Sequence, residues 1–250
     1  MSLSDSQLER YARHIVLKEI GGDGQRRLLE AEVAILGAGG IGAPVIQYLA
    51  AAGVGTLRVI DDDTVEISNL QRQLLFGDSS VGRRKTEAAA QAVAGINPEV
   101  RLVGHAERLE SSNAKRLLQG VDAIVDGSDN FATRLACADA ALALRIPLVS
   151  AAVAQFEGQL AVYRGWEEDK PCYRCLVGAD PGRAEQSCAE QGVLGAMAGV
   201  MGSLAAIEAI RCIVPFGEES TGKLLIADAL SLRFRTLNLP KDPGCLSCRA

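Results

Sequence analysis

Only two histidines occur in the 250 residues, His14 and His105, and neither sits in a motif. His14 precedes the first apolar run and His105 follows the third, so both are poorly placed for hydride chemistry and are expected to be structural. A basic excess is missing too: 26 Lys and Arg stand against 31 Asp and Glu, for a net charge of -5. Such a chain has no overall field to draw phosphates, so nucleic acid is not an expected partner. The opening MSLSDSQLERYARHIVLKEI carries charges throughout and has no apolar core followed by a cleavage site, so a cytoplasmic location is expected. No apolar run reaches the roughly 20 residues that cross a bilayer. The longest, Val193 to Ile207, is interrupted by Glu208 and Arg211, and a buried helix with no membrane role is expected there. Gly192, Gly195, Gly199 and Gly202 recur along it every three or four residues, leaving one face bare for close approach of another backbone. Repeats, low-complexity tracts and clear linkers are absent.

What is present is one chain with enough apolar residues, 48%, for a substantial core. Short Val, Ile and Leu runs at 32–37, 57–61, 100–103, 121–127 and 146–151 read as buried strands. Helix-like segments lie between them, clearest in IGAPVIQYLAAAG, KTEAAAQAVAGI, SSNAKRLLQG and FATRLACADAALAL. The alternation predicts an α/β fold: a Rossmann-like, mostly parallel sheet with helices on both faces. Further strands are expected at 158–164 and 222–230, around the apolar helix and without the regular alternation. The expected division is a helical extension over 1–30, a nucleotide-binding core over 31–155 and a C-terminal part over 156–250. The polar segment 178–192 reads as the least ordered.

The first strand runs into GAGGIG, which fits G-x-G-x-x-G between a strand and a helix. Gly37 permits the tight turn, Gly39 lets backbone approach a phosphate, and Gly42 lets the helix pack on the strand. Asp61 ends the second strand, where a ribose hydroxyl would be bound. A nucleotide site is expected, but the fingerprint suits NAD, FAD and ATP alike. Downstream, Asn69, Arg72 and Lys85 leave the carboxyl end of the second strand, and Asp129 and Asn130 that of the fourth. A triphosphate needs cations against its β and γ groups, and Asp129 could hold Mg²⁺, so ATP fits better than a nicotinamide dinucleotide.

Cysteine is the other informative residue. Cys172 and Cys175 form one C-x-x-C, and Cys245 and Cys248 a second. Four thiolates are what a closed tetrahedral structural Zn²⁺ site requires, and the thioredoxin-like alternative leaves one pair redundant. Cys137 and Cys212 lie in apolar helical segments and read as core. Cys188, in the polar segment, has no packing reason to be there. Its neighbours Glu185 and Glu190 nevertheless oppose a reactive thiolate, and both readings of it stay open.

The combination of RYARHIVL, GAGGIG, SNLQRQ, VGRRK, SDN, PCYRC, QSCAEQGV and PGCLSC resembles the MoeB/ThiF/HesA group of ubiquitin-activating-like adenylyltransferases, its MoeB branch above all. The resemblance covers nearly the whole chain. It implies a homodimeric enzyme that uses Mg-ATP to adenylate the C-terminal glycine of a small ubiquitin-like, MoaD-like sulfur carrier for molybdopterin synthesis. The same chemistry on a ThiS-like or other carrier is the alternative, and an NAD-dependent oxidoreductase or nucleotide-binding module a more distant one. By the resemblance, Gly40 and Asp61 hold the adenosine end with Ser68 nearby, and Asn69, Arg72 and Lys85 hold phosphates. Asp129 holds Mg²⁺, Arg13 reaches the neighbouring subunit's phosphates, and Cys188 takes part in later transfer in some members. The C-terminal part would bear the carrier-binding surface, and sulfur would come from a separate donor.

Overall fold

The five predicted core strands form the parallel part of one eight-stranded sheet, and a run of antiparallel strands extends it. The computed structural model describes residues 3–178 and 192–249. The polar segment 179–191, with Cys188, lies outside the described residues. Three short helices open the chain: α1 (Asp5–Arg10), α2 (Ala12–Ile15) and α3 (Gly21–Glu30). Then follow β1 (Glu32–Leu36), α4 (Gly42–Ala52), β2 (Thr56–Ile60), α5 (Lys85–Ile96), β3 (Arg101–His105) and α6 (Ala114–Leu118). β4 (Ala123–Asp126), α7 (Phe131–Leu144), β5 (Leu148–Ala154), β6 (Glu157–Tyr163) and α8 (Tyr173–Val177) come next. α9 (Gly195–Ile213), β7 (Lys223–Asp228) and β8 (Arg233–Asn238) complete the described order.

The sheet order is β3-β2-β1-β4-β5-β6-β7-β8. β1 pairs in parallel with both β2 and β4, so the order reverses beside it. Alternation along β1 divides the core. Val33 and Ile35 face the layer that contains α4, α5 and α9, while Ala34 and Leu36 face the layer of α6 and α7. Leu49 on α4 is fully enclosed in the first layer, where burial of such a side chain contributes about 2–3 kcal/mol.

The parallel α/β core agrees with the sequence-based expectation, and α5 and α7 begin and end where their helical periodicity does. β8 was not foreseen. All six of its residues are exposed, so it carries no core-facing stripe of the kind that marked the other strands. The length argument against a membrane span also needs correction. α9 takes in Glu208 and Arg211 and reaches 19 residues, long and apolar enough to cross a bilayer, yet half of its apolar window is buried inside the protein. It is a core helix because of what it packs on. A Cβ at Gly202 would stand 2.5 Å from the Ile41 carbonyl oxygen, and one at Gly195 2.3 Å from that of Gln71. At Gly199 the same atom would meet open space, so the bare stripe is not uniformly used.

Candidate active site

The order reversal beside β1 opens a crevice at the carboxyl ends of β1 and β4, where α/β folds bind ligands. A cavity of about 700 Å³ lies there. Its floor is the β1–α4 turn. Gly37 adopts φ +80°, and a Cβ on Gly42 would lie 1.7 Å from the Gly37 carbonyl oxygen, so both glycines are sterically required. Gly37, Gly39 and Gly40 line the cavity; Gly42 is buried beneath it.

Asp61 locks this turn. One carboxylate oxygen accepts the Ala38 N–H at 2.7 Å and the other accepts the Asp63 N–H at 2.9 Å. Burial raises the Asp61 pKa above its ordinary value, against the lowering pull of Lys85 and the two N–H groups. Lys85 opens α5 with its Nζ 2.7 Å from Asp63 Oδ2 and 4.0 Å from Asp61 Oδ2. Arg72 stands over Gly40, its guanidinium held by the Ser68 carbonyl at 3.0 Å. Asn69 is buried in the wall, and Asp129 is exposed at the rim. Arg108 and Arg134 line the crevice as well, as do Asp61, Asp62, Asp63 and Glu107; within that mixed lining, Arg72, Lys85, the open glycine backbone and Asp129 form a set suited to a metal-bound polyphosphate.

Asp61, Asn69, Arg72, Lys85, Asp129 and Asn130 all line the cavity. Asn130 also serves locally as the cap of α7, its side chain accepting the Thr133 N–H at 2.9 Å. Besides the buried Gly42, two expected residues are not brought in. Ser68 is exposed beside the cavity and meets the site through the carbonyl that holds Arg72 and through its hydroxyl, which accepts from Asn69 Nδ2 at 3.5 Å. Arg13 is not part of the cavity lining; it lies on α2 at the N-terminal end of the chain.

Other lining residues escaped sequence reasoning. Gln73 is 3% exposed, and its Oε1 has no hydrogen-bond partner among the described residues. It lay in the SNLQRQ run, but nothing there distinguished it from Gln71. Arg134 reaches back from α7 to the carbonyls of Ser128 and Ala151 and lies 3.7 Å from the buried Asp126. It thereby ties the β4–α7 turn that carries Asp129 to β5. Tyr163, Tyr173, Leu176 and Val177 form an apolar wall at the far end.

The four expected cysteines converge away from the glycine turn. Their Sγ atoms all lie within 4.8 Å of one another, with Cys172–Cys245 at 3.7 Å and Cys175–Cys248 at 3.5 Å. A tetrahedron with Zn–S bonds of about 2.3 Å has edges of about 3.8 Å, so the donor set fits a thiophilic dication. Burial raises the Cys172 thiol strongly and takes Cys248 to about 11. Cys137 is fully buried in α7, in keeping with a core role, and Cys212 is partly buried on α9. His14 sits in a structural contact, its Nδ1 3.3 Å from Gln25 Oε1.

Comparison with known proteins supplies the context. The SAMP-activating enzyme E1 of Haloferax volcanii is 45% identical, over 99% of this chain and 91% of its own. The sulfur carrier protein adenylyltransferase of Thermus thermophilus is 44% identical, over 99% and 93%. The molybdopterin-synthase adenylyltransferase of Salmonella typhimurium is 39% identical, over 98% of each. Among solved structures, E. coli MccB with MccA-N7isoASN superposes with a TM-score of 0.84 at 25% identity, over 96% of this chain and 74% of that one. The ThiF family model matches residues 11–247, which take in the glycine turn, the crevice with Arg72 and Lys85, and all but the last of the four clustered cysteines. With its fold, its cavity and its relatives in agreement, the chain belongs to the ThiF family.

Proposed function

We propose that the chain adenylates the C-terminal glycine carboxylate of a small ubiquitin-like sulfur carrier, using Mg-ATP and releasing pyrophosphate. The observation that carries this reading is the placement of Arg72 over the glycine turn and of Lys85 beside Asp61 in the same cavity, with Asp129 at the rim. A dinucleotide oxidoreductase has little use for an added Arg and Lys there, whereas a triphosphate needs cations on its β and γ groups. The relatives named as adenylyltransferases supply the reaction class.

In the reaction a carrier carboxylate oxygen attacks the α-phosphorus, the bond to the bridging oxygen breaks, and pyrophosphate leaves with the electron pair. No covalent enzyme group is needed; positioning and charge neutralisation suffice. Gly39 and Gly40 leave backbone open to the phosphates, and Asp61 keeps their turn rigid. Asn69, Arg72 and Lys85 bind phosphate oxygens, and Asp129 holds Mg²⁺, which neutralises charge on the leaving group. Arg13, outside its own cavity, serves the neighbouring subunit of a homodimer. Cys172, Cys175, Cys245 and Cys248 hold a structural Zn²⁺. The turn before the edge strand β8 exposes Leu230 and Leu232, and β8 exposes Phe234 on one face and Leu237 on the other, apolar side chains suited to a carrier. A separate protein donates the sulfur.

The molybdopterin branch is the preferred assignment, with MoaD-like carriers as substrates. ATP–pyrophosphate exchange with purified MoaD-like and ThiS-like carriers tests both levels. Exchange that depends on a MoaD-like carrier is expected. Exchange with the ThiS-like protein alone moves the chain to another pathway, and exchange with neither, or without any carrier, removes the function.

A further inference from the structure

The short helix α8 has two faces. Its sequence with the preceding cysteine is CYRCLV, and a helix brings residues three and four apart to one side. Cys172 and Cys175 share one side, with Sγ atoms 3.8 Å apart. Tyr173, Leu176 and Val177 share the other and line the cavity. One turn of chain thus carries half of the sulfur cluster and the far wall of the active site.

Five residues cannot sustain a helix alone. Among the described residues α8 is held by the sulfur cluster, by a two-pronged pair from Arg174 to Asp139 of α7 at 2.7 and 2.8 Å, and by Tyr173, which is buried in the core, lies 6.4 Å from the Phe131 ring of α7 and makes an edge-on ring contact. In that contact Tyr173 meets Tyr163 of β6 with centroids 5.5 Å apart at 87°. A filled metal site would strengthen the first of these tethers by binding the two cysteines of α8 to Cys245 and Cys248. The glycine turn, Asp61, Arg72 and Lys85 share none of these supports, since they come from β1, β2, α5 and the segment between.

We infer that Tyr173 is a positioning residue for the extended C-terminal tail of the acyl substrate, and that the metal centre acts on the reaction by holding Tyr173 and its wall in place. This rests on the adenylation reading. The part of the cavity with Arg72 and Lys85 suits the triphosphate, whereas Tyr163, Tyr173, Leu176 and Val177 offer an apolar wall, with Arg134 beside it, that suits an extended peptide backbone entering towards Asp129.

The test separates the two halves by binding rather than turnover. Calorimetry on the full chain, with and without metal chelation, measures affinity for a non-hydrolysable ATP analogue and for the carrier that supports exchange. Chelation, and Tyr173→Ala with its zinc content verified, should each weaken carrier binding about tenfold, the scale of one lost aromatic contact, while analogue affinity stays within about twofold. Tyr173→Phe should behave as the unmodified chain. If chelation unfolds the protein, analogue binding disappears as well, and the zinc-loaded Tyr173→Ala protein decides. Unchanged carrier affinity in that variant, or equal weakening of both ligands, overturns the inference while leaving exchange by the unmodified chain to support the function. Absence of carrier-dependent exchange in the unmodified chain overturns both.

Discussion

Lys85→Met removes a charge that has two separable roles while keeping most of the side-chain volume. The first role is structural. Lys85 and Asp61 have side chains only 6% and 7% exposed, with 4.0 Å between Nζ and Oδ2. At that distance an effective dielectric of 20 gives an attraction of about 4 kcal/mol, an upper bound on what is lost. Asp61 keeps its two N–H donors after the substitution, so it is not stripped bare. The contact with Asp63 is shorter, but Asp63 is 58% exposed and screened. A net loss of about 2 kcal/mol is expected, below the 3–5 kcal/mol of a fully broken buried pair, and equivalent to about 4–8 °C in Tm. The second role is catalytic. Loss of one charge-assisted contact to the transferring phosphates should slow carrier-dependent pyrophosphate exchange about 10²–10³-fold. Thermal unfolding and exchange on the same preparation read the two losses independently. A double-mutant cycle with Asp61→Asn then isolates the pair and should return a coupling of about 1–3 kcal/mol. Exchange within tenfold of the unmodified chain would refute the phosphate role, and strictly additive stabilities would refute the pairing.

Arg13→Ala and Lys85→Ala chains should each be inactive alone; if Arg13 acts across a dimer, mixed and re-equilibrated subunits should regain about a quarter of the normal exchange activity, and no recovery would place Arg13 elsewhere. Elemental analysis should find one zinc per chain, and Cys248→Ser should lower both zinc content and Tm, whereas a metal-free protein with an undiminished Tm returns the thiols to redox chemistry. Cys188→Ala should keep pyrophosphate exchange, which needs no thiol, and lose only carrier sulfuration; normal sulfuration would leave the residue without a part in the reaction. Because burial raises the Asp61 pKa, its contribution to stability is full below the ordinary carboxylate range and falls as pH rises through the raised value. The stability of Asp61→Asn relative to the unmodified chain should therefore improve as pH rises through that window, and denaturation at a series of pH values would show a flat difference if the reasoning fails.

Much of the fold was legible because burial imposes periodicity. β1, β2 and β4 are largely enclosed on both faces and read as continuous apolar runs, and α7 announces itself from Phe131 to Leu144 by composition. β8 left no such trace, since RFRTLN faces solvent throughout. The glycine turn was readable because it is a local motif, and the cysteine pairs because metal geometry demands four donors. The apolar wall was not readable. Tyr173 looked like a spacer within a C-x-x-C, and only the antiparallel return of β6 brings Tyr163 against it. Asp61 shows a different limit: its position after β2 suggested a ligand-binding role, and only the folded chain shows both its oxygens engaged by backbone N–H groups.

The open edge at β8 bears on how this protein survives in solution before a partner covers it. A bare strand invites the same strand of another copy, and stacked edges lead to precipitation. Arg233 and Arg235 are both exposed on that edge. In an antiparallel self-pairing centred on Phe234 the two arginines of one copy face those of the other, and shifting the centre to Arg235 sets that residue against itself. Like charges directly opposite disfavour a strand pair, so the commonest route to edge-to-edge aggregation is closed by two side chains. Arg233→Thr with Arg235→Thr should leave folding and affinity for an ATP analogue unaltered while light scattering rises with storage, making solubility what these arginines guard.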